Sequence, residues 1–180
     1  MLRWAIRQEA KPIAIRVPSN GVVHTTEDVD EEYSYTPKYK VAHEGSQVAI
    51  IAAGSFYQKG ENVAHLLAEK GIDATLINPR YLHAVDAEAL ESLKARHQLV
   101  VTLEDGCKDG GFGERIASYY GTSDMKVLVC GVKKNLYDRF DHQQLLADKA
   151  AHRLLTGSRS LAGHSRKCLS YLSGTTDRKV

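Results

Sequence analysis

The sequence predicts an α/β fold with three layers, α/β/α, built on a mostly parallel sheet. Three observations carry this. The run "QVAIIAAG", 47–54, is continuously apolar over strand length, as expected of a parallel strand covered on both faces. From Val41 onward, strand-like and helix-like segments alternate at the spacing of βαβ units. Finally, 180 residues suffice for one ordinary domain with a real core.

The elements follow in order. "KPIAIRVP", 11–18, reads as a β-branched strand stopped by Pro18. The segment 25–40, "TTEDVDEEYSYTPKYK", holds five acids in six positions from Glu27 to Glu32 and has no helical apolar stripe. A block of like charges repels itself and buries little, so residues 24–40 are expected to be an exposed linker. After the strand at 47–54, "SFYQKGENVAHLLAEKG" places Val63, Leu66 and Leu67 at helical spacing, with Gly71 to close the helix. "IDATLINP" is a strand, and "DAEALESLKARH" a helix capped by Asp86 with Leu90 and Leu93 inward. "QLVVTLED" is a strand, "GERIASYYG" a helix and "MKVLVCGV" a strand, and "HQQLLADKAAHRLL" reads as a last helix.

Composition narrows the function classes. No apolar run approaches the roughly 20 residues needed to cross a bilayer. The first residues, interrupted by Arg3, Arg7, Glu9 and Lys11, lack the pattern of a secretory signal, so the cytoplasm is the expected compartment. Cys107, Cys130 and Cys168 form no C-x-x-C pair, which argues against a disulfide framework and a structural zinc site. The net charge of +2 conceals an asymmetry: residues 149–180 carry +6, and residues 1–148 carry −4. That basic tail has no aromatic interleaving beyond Tyr171, so nucleic acid is not an expected partner, and poor order is expected from 149 to 180, with at most a short helix around Arg166 to Leu172.

Candidate chemistry gathers around "TLEDGCKDGGFGERIASYYG", 102–121. A glycine-rich turn from a strand into a helix presents backbone donors to a phosphate. Here Gly110, Gly111, Phe112 and Gly113 match neither the G-x-G-x-x-G nor the G-x-x-x-x-G-K-[ST] spacing, which favours a turn needed for backbone geometry. Glu104 and Asp105 end an apolar strand, where α/β sheets hold ligands, or they cap the next helix. Arg80, just past a strand end, suits an anion, a salt bridge or an interface contact. His43, His65, His83 and His97 fall on separate elements without metal spacing, and His97, beside Arg96, is expected at a helix C-terminus, where the helix dipole explains it. Ser55 has no neighbour in sequence that would activate it.

Taken in order, these segments resemble the C-terminal part of the 1-deoxy-D-xylulose-5-phosphate synthases and, more broadly, of the transketolase family. "PIAIRVP" resembles the end of that family's pyrimidine-binding domain. "EGSQVAIIAAGSFYQKGENVAHLLAEKGIDATLINPRYLHAVD" resembles the opening of its third domain, and "LVVTLEDGCKDGGFGERIASYY" its T-x-E-[DE] and G-G-x-G segment. The resemblance divides the chain into a pyrimidine-domain remnant at 1–23, the linker, a transketolase C-terminal-like domain at 41–148 and an atypical tail at 149–180. It implies a full enzyme dependent on thiamine diphosphate and Mg²⁺ that transfers a two-carbon unit as a homodimer. The family's G-D-G motif and its activating glutamate are absent, so the resemblance implies no cofactor binding by this chain alone. It also places Arg16 and Ser19 near the acceptor's phosphate, with Ser19 where the family carries a second arginine. A hydroxyl cannot replace a bidentate cation there, which points to an unphosphorylated acceptor or to a phosphate-binding group supplied from elsewhere. His83 and Ala84 replace the family's usual Lys and Pro. Two rival expectations are a non-catalytic binding module that kept the fold and a β-subunit-like domain of a 2-oxo acid dehydrogenase.

Overall fold

The computed structural model describes residues 1–17, 21 and 33–134. The acidic run 27–32, Ser19, the helix expected over 142–155 and the basic tail lie outside the described residues.

Among the described residues, five strands form one sheet: β1 Lys40–His43, β2 Gln47–Ala52, β3 Thr75–Asn78, β4 His97–Cys107 and β5 Lys126–Val132. Their spatial order is β1-β3-β2-β4-β5; β1 runs antiparallel to β3 and all other pairs are parallel. The central strand β2 is buried from Val48 to Ala52, which is why its sequence shows no polar alternation.

Four α-helices among the described residues accompany the sheet: α1 Leu2–Ala5, α2 Tyr57–Ala68, α3 Ala87–Leu93 and α4 Phe112–Tyr120. Val63 and Leu67 of α2 pack with Val48, Ile50 and Val101 on one face. Leu90 and Leu93 of α3, with Phe112, Ile116 and Tyr120 of α4, pack with Ala49, Ile51 and Val100 on the other. Right-handed crossovers require this division: the chain steps from β2 to β3 in one direction, then back past β2 to β4, so the covering helix changes face. The expected three-layer α/β/α fold is therefore the observed one.

Three expectations change. Residues 12–17 join no strand; Ile13 and Ile15 are half-buried and alternate with exposed Ala14 and Arg16, so the pattern of a strand is present without a ladder partner among the described residues. The end of the expected linker is not exposed: Tyr39 is buried, its amide donates to Asp86 Oδ2 at 2.8 Å, and Lys40 opens β1. The acidic composition of 27–32 hid this short edge strand. Helix α3 ends at Leu93, and His97 opens β4 instead of closing the helix.

Candidate functional site

The chain reverses its direction of progress between β2 and β4, and in open α/β sheets the crevice outside the carboxyl ends of such strands is where ligands bind. Alternation along β4 points Val100, Thr102 and Glu104 to the α4 side. Beyond Leu103 the pairing with β5 shifts, from Leu103 opposite Cys130 to Cys107 opposite Val132, so β4 bulges at Glu104–Gly106.

Glu104 is buried and accepts two amides of α4, Phe112 N–H to Oε2 at 3.0 Å and Gly113 N–H to Oε1 at 2.9 Å. The N-cap of α4 is Gly111, which has no side chain to cap with, and Glu104 supplies the acceptor from the neighbouring strand. Glu114 adds a second acceptor, taking the Gly110 amide at 2.6 Å. The positive end of α4 thus already holds an anion, the protein's own carboxylate.

The glycines make room for that carboxylate. A Cβ on Gly111 would lie 2.8 and 2.9 Å from the Glu104 oxygens and would collide with the Cys107 carbonyl. A Cβ on Gly113 would lie 2.5 Å from both Thr102 Oγ1 and Val129 Cγ1. Gly110 adopts φ of 76°, which turns the chain into the helix.

Asp105 forms a second cluster at the same edge. Its Oδ1 pairs with Arg16 Nη2 at 2.8 Å, and its Oδ2 accepts the Ser55 hydroxyl at 2.9 Å. Ser55 follows β2, so it does have a carboxylate partner, one that sequence adjacency could not reveal across 50 residues. No imidazole joins the pair among the described residues, and Ser55 here is a donor to a carboxylate. Lys59, one turn into α2, stands 4.2 Å from the Phe56 ring centroid; burial lowers its pKa, with the Asp105 charge acting in the opposite sense.

Arg80 lies at the carboxyl end of β3, away from the Asp105 cluster. Its φ is 55°, and Tyr81 N–H reaches Pro79 C=O at 2.5 Å, which makes Arg80 the centre of a γ-turn of the strained, positive-φ kind. Its Nε and Nη2 donate to the Lys38 carbonyl at 3.3 and 3.0 Å, tying the entry of β1 to the end of β3.

At the opposite, amino edge, His97 is buried with its ring fixed by two contacts. The Gly45 amide donates to Thr75 Oγ1 at 2.8 Å, Thr75 meets His97 Nε2 at 2.8 Å, and His97 Nδ1 meets the Leu93 carbonyl at 3.0 Å. A carbonyl only accepts, so Nδ1 carries the hydrogen and the Thr75 hydroxyl donates to Nε2. Burial lowers the His97 pKa, the Leu93 bond opposes that, and the Arg96 charge adds to it. His97 is thus a hydrogen-bonded ring at the start of β4, and the helix dipole is not what explains it.

Thiamine diphosphate and Mg²⁺ find no matching donor set among the described residues. No three His, Cys, Asp or Glu side chains converge there as metal ligands, and both oxygens of Glu104 and of Asp105 already accept hydrogen bonds within the chain. Nor is any helix among the described residues long and apolar enough to cross a membrane.

The sheet order and the division of helices define a doubly wound α/β/α domain whose carboxyl-edge acids are held by internal partners. The chain belongs to the family described as "Transketolase, C-terminal domain", which it matches over residues 37–148. It is similar to the 1-deoxy-D-xylulose-5-phosphate synthase of Clostridium botulinum (strain Alaska E43 / Type E3), 36% identical over 124 residues, covering 69% of this chain and 20% of that protein. The enzyme of the same name from Lachnoclostridium phytofermentans is 33% identical over 155 residues, covering 83% of this chain and 24% of the other. A solved structure described as "Split gene transketolase, inactive beta4 tetramer" superposes with a TM-score of 0.65 at 26% identity, covering 81% of this chain and 46% of that one. The chain thus spans 20% and 24% of these two curated relatives.

Proposed function

We propose that this chain is the C-terminal domain, or a split subunit, of a thiamine diphosphate-dependent transketolase resembling 1-deoxy-D-xylulose-5-phosphate synthase. Its work is to complete a dimer or a complex with a chain carrying the cofactor-binding domains, and to close the active site; it supplies no catalytic group of its own. The observation that carries this reading is the internal use of Glu104 and Asp105: the carboxylates at the ligand-binding edge of the sheet hold a helix start and an arginine in place. The reaction is two-carbon transfer from pyruvate to an aldehyde, in the cytoplasm. Ser19, where the family pattern that this sequence resembles carries arginine, favours an acceptor without a phosphate.

Calorimetry of the chain with thiamine diphosphate and Mg²⁺, followed by assay with pyruvate and a panel of phosphorylated and unphosphorylated aldehydes, tests it. The chain alone neither binds the cofactor at micromolar concentration nor turns over; turnover appears when a chain carrying the family's first two domains is added. Micromolar cofactor binding by the chain alone overturns the reading. Failure of every such partner chain to co-migrate with it or to yield turnover favours a binding module that kept the fold.

A further inference from the structure

We propose that residues 12–17 are a strap across the carboxyl edge of the sheet, latched by Arg16, Asp105 and Ser55, and that this latch opens at its Arg16 end.

The strap follows from the path of the chain. At one end the segment is anchored near β3: the Trp4 ring packs 5.9 Å from Tyr33 and 5.7 Å from Tyr35, and Lys11 stands over Tyr35 at 5.4 Å. The Ser34 amide in turn donates to the Tyr81 hydroxyl at 3.1 Å, just past the carboxyl end of β3. At the other end Arg16 meets Asp105, two residues beyond the point where Leu103 of β4 pairs with Ala52 of β2. Since β2 lies between β3 and β4, the connecting residues span the carboxyl ends of all three strands. Ile13 and Ile15 are half-buried along that span, while Ala14 and Arg16 are exposed, the alternation of an extended segment lying on a surface. Residues 12–17 pair with no strand among the described residues, and the Arg16 side chain holds them to Asp105.

The anchors differ in strength. Trp4 is buried, whereas the Arg16 side chain is 61% exposed and the Asp105 side chain 23%. A partly exposed ion pair is weak and salt-sensitive. The Arg16 end therefore releases first, and Asp105, fixed from its other oxygen by Ser55, stays in position to recapture it. The strap is a property of this chain and does not depend on the proposed reaction.

Limited trypsin digestion of the full chain, with mass spectrometry of the Arg16–Val17 bond, tests the latch. Trypsin must hold the Arg16 side chain, so cleavage there reports its release; Lys11 precedes Pro12 and gives no competing cut within the strap. Asp105→Asn is expected to speed this cleavage about threefold, the range of a weak surface pair, with a smaller gain for Ser55→Ala. Asp109→Asn, at an exposed position outside the cluster, leaves the rate unchanged. In the wild type, cleavage at Arg16 rises with NaCl relative to cleavage of a small arginine ester, which reads the latch even if a variant does not fold. Equal rates in wild type and Asp105→Asn, or no salt response in the wild type, overturn the proposal.

Discussion

Glu104 and Gly113 meet at 2.9 Å, carboxylate oxygen to amide nitrogen, with the other Glu104 oxygen 3.0 Å from the Phe112 amide. One side chain on β4 therefore sets where α4 begins, because the glycine N-cap cannot. Glu104→Gln keeps the size but leaves an amide nitrogen facing one backbone donor, and is expected to cost about 2 kcal/mol, in the range of a buried charge-assisted bond lost. Urea unfolding followed by circular dichroism measures it. A midpoint unchanged from wild type would show that α4 does not depend on this cap.

How far the sequence led differs between the sheet and its edge. Strands β2 to β5 and helices α2 to α4 are legible because each is long or strongly patterned, and the Asp86 cap is local: its Oδ1 takes the Ala89 amide at 3.1 Å. The Ser55–Asp105–Arg16 cluster is not legible, since it joins residues 50 and 89 positions apart that only the sheet order brings together. Strand β1 is hidden for another reason. Its residues lie on a sheet edge, mostly exposed and with a register shift between Val41 and His43, so no buried apolar stretch marks them after an acidic run.

Arg80 allows a test in which the usual ranking of substitutions inverts. Glycine is ordinarily less stable than alanine in ordered structure by roughly 0.5 to 1 kcal/mol, because its unfolded chain is freer. At φ of 55° the Cβ is strained, and only glycine adopts that region without cost. Both Arg80→Ala and Arg80→Gly lose the two bonds to the Lys38 carbonyl, so comparing them isolates the backbone. Arg80→Gly is expected to be the more stable by about 1 kcal/mol in chemical denaturation. Arg80→Ala as the more stable variant would mean that the turn relaxes when the guanidinium is gone.

His97 makes stability depend on mildly acid pH. Its pKa in the folded chain lies below the ordinary value because burial disfavours the imidazolium, while in the unfolded chain it returns to about 6.5. Between those two values the unfolded chain binds more protons, so stability rises with pH there. The contribution is complete above about pH 6.5 and is lost as pH falls through the folded value. His97→Gln cannot titrate, and its urea midpoint is expected to vary less with pH below about 6.5 than that of the wild type. Parallel pH curves for the two proteins would remove His97 as the source.

Two buried tyrosines on the α3 and α4 side separate the cost of a hydroxyl from its benefit. Tyr120 donates to the Leu90 carbonyl at 2.6 Å, whereas the buried Tyr39 hydroxyl makes no well-formed hydrogen bond among the described residues, with only the Asp86 backbone within its reach. Burial raises the pKa of both, that of Tyr39 to about 12, so both are neutral hydroxyls at ordinary pH. Replacing either by phenylalanine preserves the ring and its packing, including the Tyr39 edge contact with Phe112 at 6.3 Å. Tyr120→Phe removes a made bond and leaves a carbonyl without it, and is expected to cost about 1 kcal/mol. Tyr39→Phe removes a polar group that burial has stripped of water, and is expected to be neutral or to stabilise by up to about 1 kcal/mol. Thermal unfolding of the two variants side by side checks the sign. A loss for Tyr39→Phe as large as that for Tyr120→Phe would mean that the Tyr39 hydroxyl is bonded in solution, to the Asp86 backbone or to a water.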